Sequence, residues 1–290
     1  MSEAAQHTAS AQARPAGRIA ERFRELSSSG ELGLVAYITA GDPSLEASEK
    51  IVLAAAEAGA DVVELGVPFS DPVADGPTIQ RASERALRSG TTLSGVIDLV
   101  RRLRSRTQVP LVLFSYFNPI LQMGIETFAD AAVSAGADGV LATDLTPEES
   151  AEYRAVLRSR GLDTIFLAAP TSTDARLKLI ASVSSGFLYL ISRMGVTGAR
   201  ESLPEELPGL VRRIRKFTPL PVAVGFGISL PTHVTVLGGI ADAAVVGSAI
   251  VSEIEKAGSP DAAAKAVADL VARLKQAARA GVSRRNSNLC

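Results

Sequence analysis

The chain has 290 residues, 47% of them hydrophobic and 21% charged, with a net charge of −1 at neutral pH. That length holds either two ordinary domains or one barrel of the (β/α) type, and the near-zero charge shows no electrostatic footprint for nucleic acid or an anionic membrane. The one cysteine, Cys290, excludes an internal disulfide framework and a cysteine zinc site, and it points to a reducing, cytoplasmic compartment.

Residues 1–16 are rich in Ala, Ser and Gln and lack the apolar run of a secretory signal or membrane span, so a flexible tail is expected there. A short amphipathic helix over 19–26 follows. Residues 33–39 read as a continuous buried strand ended by Gly41-Asp42-Pro43. A helix over 44–59 then leads to a second strand at 61–65. The same grammar recurs with a helix over 94–106, a strand over 110–116, a loop at Asn118-Pro119 and a strand over 138–143. Thr146-Pro147-Glu148-Glu149 carries a capping residue, a proline at the first helical position and a glutamate three after the cap, which predicts a helix from there to about Arg160. Further strands are expected over 163–168, 187–192, 221–225 and 242–246, with helices over 173–184 and 259–280.

Eight short apolar strands separated by helices predict an α/β fold, a (β/α)8 TIM barrel with extra helices. It would occupy residues 17–280 as a single domain, with 281–290 a second flexible tail. A doubly wound open sheet is the alternative, weakened because no Gly-x-Gly-x-x-Gly opens the first helix.

The second strand runs into Val63-Glu64-Leu65-Gly66-Val67-Pro68-Phe69-Ser70-Asp71-Pro72-Val73-Ala74-Asp75-Gly76-Pro77-Thr78-Ile79-Gln80. Glu64 sits among apolar strand residues, an expensive place for an ionised group. Gly66, Pro68, Pro72, Gly76 and Pro77 cannot continue a ladder, so the chain must leave the sheet and carry Asp71 and Asp75 on a loop. A raised-pKa carboxyl beside an ordinary carboxylate suits proton transfer at neutral pH. The plainer reading makes Glu64 a paired core acid and Asp71 and Asp75 caps of the helix starting near Pro77.

Three glycine turns follow the last three strands: Arg193-Met194-Gly195-Val196-Thr197-Gly198, Gly225-Phe226-Gly227-Ile228-Ser229 and Val246-Gly247-Ser248-Ala249. Any one of them is well explained as a turn former. Together, at the C-terminal ends of barrel strands, they offer a phosphate cradle of backbone N–H groups, helped by the positive end of a helix beginning at Ser248.

The 63–80 stretch resembles the strand-two and loop-two signature of the tryptophan synthase alpha subunit family, and the three glycine turns resemble its loop-six, strand-seven and strand-eight motifs. The resemblance covers roughly residues 18–274. It implies catalytic roles for Glu64 and Asp75, phosphate binding by Gly198, Gly227, Gly247 and Ser248, and a substrate pocket lined by Tyr37, Tyr189, Thr197 and Phe226. It also implies indole-3-glycerol phosphate as substrate, no cofactor or metal in this chain, and a beta-subunit partner that carries pyridoxal phosphate, as an alpha2-beta2 tetramer. Loop 70–74 and the segment near Asn118 would face that partner. Met194, Thr143 and Thr146 depart from the family's usual residues, and 114–119 is a variant of its segment there.

The reaction implied is a carbon–carbon cleavage, which needs an electron sink. Lys50, Lys178, Lys216, Lys256, Lys265 and Lys275 all fall in expected helices or helix ends, which argues against a Schiff-base lysine. His7 lies in the tail and His233 in an expected outer helix, which argues against a histidine-held metal. The substrate must then supply the sink, and an indole protonated at C3 does so. A stand-alone lyase that releases free indole, a phosphosugar-isomerase barrel sharing the phosphate cradle, and a barrel kept as a binding subunit remain as alternatives.

Overall fold

The computed structural model describes residues 17–191, 203–225 and 227–280. Its strands are β1 (Gly33–Thr39), β2 (Val62–Gly66), β3 (Leu111–Ser115), β4 (Gly139–Ala142), β5 (Asp163–Ile165), β6 (Leu167–Ala168), β7 (Leu188–Ile191), β8 (Val222–Gly225) and β9 (Ala243–Val246). Its helices are α1 (Arg18–Ser29), α2 (Leu45–Glu57), α3 (Pro77–Arg88), α4 (Leu93–Arg104), α5 (Phe117–Met123) and α6 (Ile125–Ala135), then α7 (Ala151–Ser159), α8 (Asp174–Val183), α9 (Leu207–Arg215), α10 (Pro231–Leu237), α11 (Ser248–Lys256) and α12 (Pro260–Ala280).

All strand pairs are parallel, in the order β5-β4-β3-β2-β1-β9-β8-β7-β6. The expected single strand over 163–168 is interrupted at Phe166, and that interruption closes the sheet. Before it, β5 pairs with β4 through Leu141 and Ile165; after it, β6 pairs with β7 through Leu167 and Tyr189. The Tyr189 N–H donates to the Phe166 carbonyl at 3.2 Å and the Ser185 N–H to the Thr164 carbonyl at 2.8 Å. Eight strand positions therefore form a (β/α)8 TIM barrel.

Alternation along each strand sorts the apolar residues into two layers. Val35, Tyr37, Val62, Val112, Phe114, Leu141, Ile165, Tyr189, Ala223 and Val245 fill the lumen. Leu34, Ile38, Val63, Leu65, Leu111 and Leu113 belong to the outer layer shared with the helices. Helix α1 is amphipathic and lies across the N-terminal end of the barrel, where Ile19, Phe23 and Leu26 join the lumen cluster; the Phe23 ring lies 5.7 Å from that of Phe187.

Aspartates stitch the same end. Asp61, Asp138 and Asp242 each precede a strand, and each accepts an N–H from the start of a neighbouring strand: Leu34 at 2.6 Å, Leu111 at 2.8 Å and Val222 at 2.8 Å. Arg22 and Lys275 neutralise Asp61, Arg18 and Arg104 neutralise Asp138, and Arg215 neutralises Asp242. The N-terminal face is thus a structural face, and the strand C-terminal ends are left for chemistry.

Two local expectations are corrected. Asn118-Pro119 lies inside α5, not in a loop, because Pro119 falls in the first turn, where a missing N–H costs nothing. The helix expected from Thr146 begins at Ala151. There the Thr146 hydroxyl meets the Glu149 carboxylate at 3.0 Å and Glu148 pairs with Arg176, so no capping box forms and 147–149 is a turn. The expected tails lie outside the described residues. No described helix is long and apolar enough to cross a membrane.

Candidate active site

Glu64 lies on β2 in register with Tyr37 of β1 and Val112 of β3, so its side chain shares the lumen with theirs. It is 0% exposed, and neither carboxylate oxygen has a hydrogen-bond partner among the described residues. The reading of a paired core acid therefore fails. Burial pushes the carboxyl up to about 8, so at neutral pH it holds a proton that an exposed glutamate would have lost.

Asp75 stands on the loop above. Its N–H donates to the Pro72 carbonyl at 3.0 Å, and its carbonyl accepts from Gln80 Nε2 at 2.9 Å. Its carboxylate accepts from the Tyr116 hydroxyl at 3.2 Å. Burial raises this carboxyl to about 6, with the Tyr116 hydrogen bond pulling the other way. Neither loop aspartate caps α3: the cap is Gly76 without a side-chain hydrogen bond, and Asp71 is bonded to the Ser70 hydroxyl at 3.0 Å.

Two tyrosines share the space above Glu64, and each needs a glycine beside it. A Cβ on Gly66 would stand 2.1 Å from the Tyr37 hydroxyl oxygen, and one on Gly225 would stand 2.2 Å from that of Tyr189. The Tyr37 ring meets Phe114 edge-on at 5.1 Å. Burial, then Asp75, pushes the Tyr37 phenol above its ordinary range; burial, then Glu64, does the same to Tyr189. Both phenols stay protonated and can serve only as neutral hydrogen-bonding groups. Two carboxyls and two phenols thus converge in one apolar chamber at the C-terminal end of the barrel.

Beside this chamber lie the described parts of the glycine turns. Gly227 has φ of +86°, and among the described residues, its chain neighbours aside, no atom lies within 4 Å of where its Cβ would be. Gly247 is the N-cap of α11, whose first residue is Ser248, so the positive end of that helix faces the same region. Thr197, Gly198 and Phe226 lie outside the described residues, as does Met194. His233 sits on α10 as expected but is buried, with Nδ1 accepting the Ser229 N–H at 3.4 Å.

Sequence reasoning missed Tyr116 and Phe114 as members of this site. Phe114 could have been found by counting two residues on from inward-facing Val112, but the contact of Tyr116 with Asp75 depends on the folded loop. Among the described residues, no cluster of His, Cys, Asp and Glu could hold a metal ion. Lys275 is buried, but its ammonium is held by Asp61 at 2.9 Å at the opposite end of the barrel.

Comparison with known proteins bears on the family and the fold. Residues 23–280 match the family model described as tryptophan synthase alpha chain. The chain is 51% identical over 239 residues to the tryptophan synthase alpha chain of Solibacter usitatus, covering 82% of this chain and 90% of that one. It is 50% identical over 260 residues to that of Geobacter sulfurreducens, covering 90% and 98%. Among solved structures it is similar to Mycobacterium tuberculosis tryptophan synthase, with a TM-score of 0.84, 35% identity and coverage of 91% of this chain and 99% of that one. It is also similar to tryptophan synthase subunit alpha of Legionella pneumophila, with a TM-score of 0.80, 37% identity and coverage of 90% and 98%. The chain belongs to the tryptophan synthase alpha chain family, whose members are lyases acting on indole-3-glycerol phosphate.

Proposed function

We propose that Glu64 and Asp75 are the carboxyls with which this alpha chain splits indole-3-glycerol phosphate into indole and glyceraldehyde 3-phosphate. The observation that carries the proposal is a fully buried glutamate without a hydrogen-bond partner among the described residues, protonated at neutral pH and set below a second carboxylate. Glu64 gives its proton to indole C3. The resulting indoleninium accepts the electron pair of the breaking carbon–carbon bond, and the Glu64 carboxylate takes the proton of the adjacent hydroxyl as the aldehyde forms. The proton given to C3 is thereby recovered from the hydroxyl, and Glu64 ends the cycle as it began. Asp75 accepts the indole N–H and stabilises the charge that develops on the ring.

In this reading Gly198, Gly227, Gly247 and Ser248 hold the phosphate through backbone N–H groups, and Tyr37, Tyr189, Thr197 and Phe226 surround the indole and glycerol. The barrel over 17–280 acts as a single domain. The alpha chain uses no cofactor, and a beta subunit carrying pyridoxal phosphate consumes the indole in an alpha2-beta2 assembly in the cytoplasm. Val73, 84% exposed on the loop beside Asp75, and Leu121, 52% exposed on α5, support a docked face next to the site.

Indole release would be assayed from the chain alone and with a tryptophan synthase beta subunit, for the wild type and for Glu64→Gln and Asp75→Asn. Each substitution is expected to lower kcat by about 100-fold or more with substrate binding retained. Near-normal cleavage by Glu64→Gln would refute the assignment. Full wild-type activity without the beta subunit would favour a stand-alone lyase.

A further inference from the structure

Tyr116 immediately follows β3, and its hydroxyl makes two contacts with the loop that carries Asp75. It accepts the Ala74 N–H at 2.9 Å and lies 3.2 Å from Asp75 Oδ2. A phenol has one proton, and the amide already donates into the oxygen, so that proton points to the carboxylate. The ring is 4% exposed and stacks on Phe69 of the same loop at 4.9 Å. From the other side Gln80 of α3 holds the loop backbone at the Pro72 and Asp75 carbonyls. The backbone of Asp75 is thus fixed by α3 and its carboxylate by the end of β3.

We propose that Tyr116 is a positioning residue for the cleavage: it occupies Oδ2 of Asp75 and so presents Oδ1 to the indole N–H. The inference rests on the reading of Asp75 as acceptor of that N–H. Among the described residues, no hydrogen bond to Oδ1 competes with the substrate. The titratable groups around Asp75 are Tyr37 on β1, Glu64 on β2, Tyr189 on β7 and Tyr116 itself, with Asp144 beyond β4 facing Tyr116. Of these, Tyr116 is the one bonded to the carboxylate, and it favours the anion that a charge-stabilising acceptor must be.

The test is Tyr116→Phe in the full chain, which keeps the ring stacked on Phe69 and removes only the hydroxyl. Two readouts are needed: the titration midpoint of the Asp75 carboxyl carbon by NMR, and kcat/KM for cleavage against pH in the complex with a beta subunit. A hydrogen bond to a charged group is worth roughly tenfold or more in an ionisation equilibrium. The Asp75 midpoint should therefore rise by about one pH unit. With the midpoint moved from about 6 to about 7, activity relative to wild type should fall about fivefold at pH 6 and less than about threefold at pH 8.5. Site-specific 3-fluorotyrosine at 116, a stronger donor, should move the midpoint down. An unchanged midpoint overturns the proposal, as does an activity loss equal at every pH, which would mark Tyr116 as a structural residue. If the midpoint moves but Asp75→Asn still cleaves substrate, the hydrogen bond stands and the catalytic reading of Asp75 is what fails, taking the role of Tyr116 in cleavage with it.

Discussion

Replacing Gly66 by alanine tests how tightly the chamber is built. The new Cβ would lie 2.1 Å from the Tyr37 hydroxyl oxygen, 2.5 Å from its Cζ and 2.9 Å from Cε2, where ordinary contact begins near 3.4 Å. The Tyr37 hydroxyl must therefore retreat by about 1.3 Å, and the interior is packed too densely to absorb that freely. Phe114 blocks the ring edge-on at 5.1 Å. Forcing one extra methyl into such a site costs about 1–3 kcal/mol. Displacing a substrate-positioning group by about 1 Å lowers turnover about 100-fold. Urea unfolding monitored by tyrosine fluorescence would read the first effect and steady-state cleavage the second. Adding Tyr37→Phe to Gly66→Ala should restore part of both, because the hydroxyl is the nearest clash but Cζ still crowds the methyl. A Gly66→Ala chain with unchanged stability and kcat/KM would refute the reasoning and show that Tyr37 does not need the space that the glycine leaves.

Two further outcomes follow from buried charge. The Glu64 carboxyl is raised from 4.5 to about 8, so between those pH values the folded chain keeps a proton that the unfolded chain has released; stability is full below about 4.5 and is lost as pH rises toward 8. Glu64→Gln lacks that loss, and its advantage over wild type in urea unfolding should be small at pH 5 and approach about 4 kcal/mol near pH 8; a gap that does not change with pH would show that Glu64 titrates normally. Asp75 adds a loss in the same direction between about 4 and 6, common to both proteins. At the other end of the barrel, Lys275→Met leaves Asp61 buried with, among the described residues, Arg22 and the Leu34 N–H as its side-chain partners. Breaking a buried pair costs about 3–5 kcal/mol, and the remaining partners should reduce this to about 2 kcal/mol, with kcat unchanged. A loss well below 1 kcal/mol, or a fall in kcat, would contradict the separation of a structural face from a catalytic one.

Much of the fold was legible because each strand carries its own punctuation. The pattern of a small residue and Asp before an apolar run, at Asp61, Asp138 and Asp242, marks strand starts that the structure places within a residue or two. The misread segments are those where one dipeptide supports two structures. Asn118-Pro119 suits a turn but also the first turn of α5, and Thr146 to Glu149 has the letters of a capping box whose side chains bond to each other and to Arg176. Glu64 and Asp75 stood out because an acid in an apolar strand and a broken ladder are visible locally. What could not be read was how Asp75 is held, since Tyr116 lies 41 residues away and meets it only once the loop has folded over the end of β3.

The interruption at Phe166 has a consequence for how the barrel breathes. A closed ring of strands has no edge, yet this one is joined where the chain changes neighbours, on either side of a residue that belongs to neither half. Local opening should begin at that seam and not in the longer β1–β2 ladder, so the amides of Ser185 and Tyr189 would exchange with solvent deuterium ahead of those in β1. Tyr189 stands on the seam and in the chamber at once, so each such opening would also unroof the site for a moment. The chamber's access to bulk water is thereby tied to the least continuous part of its own wall.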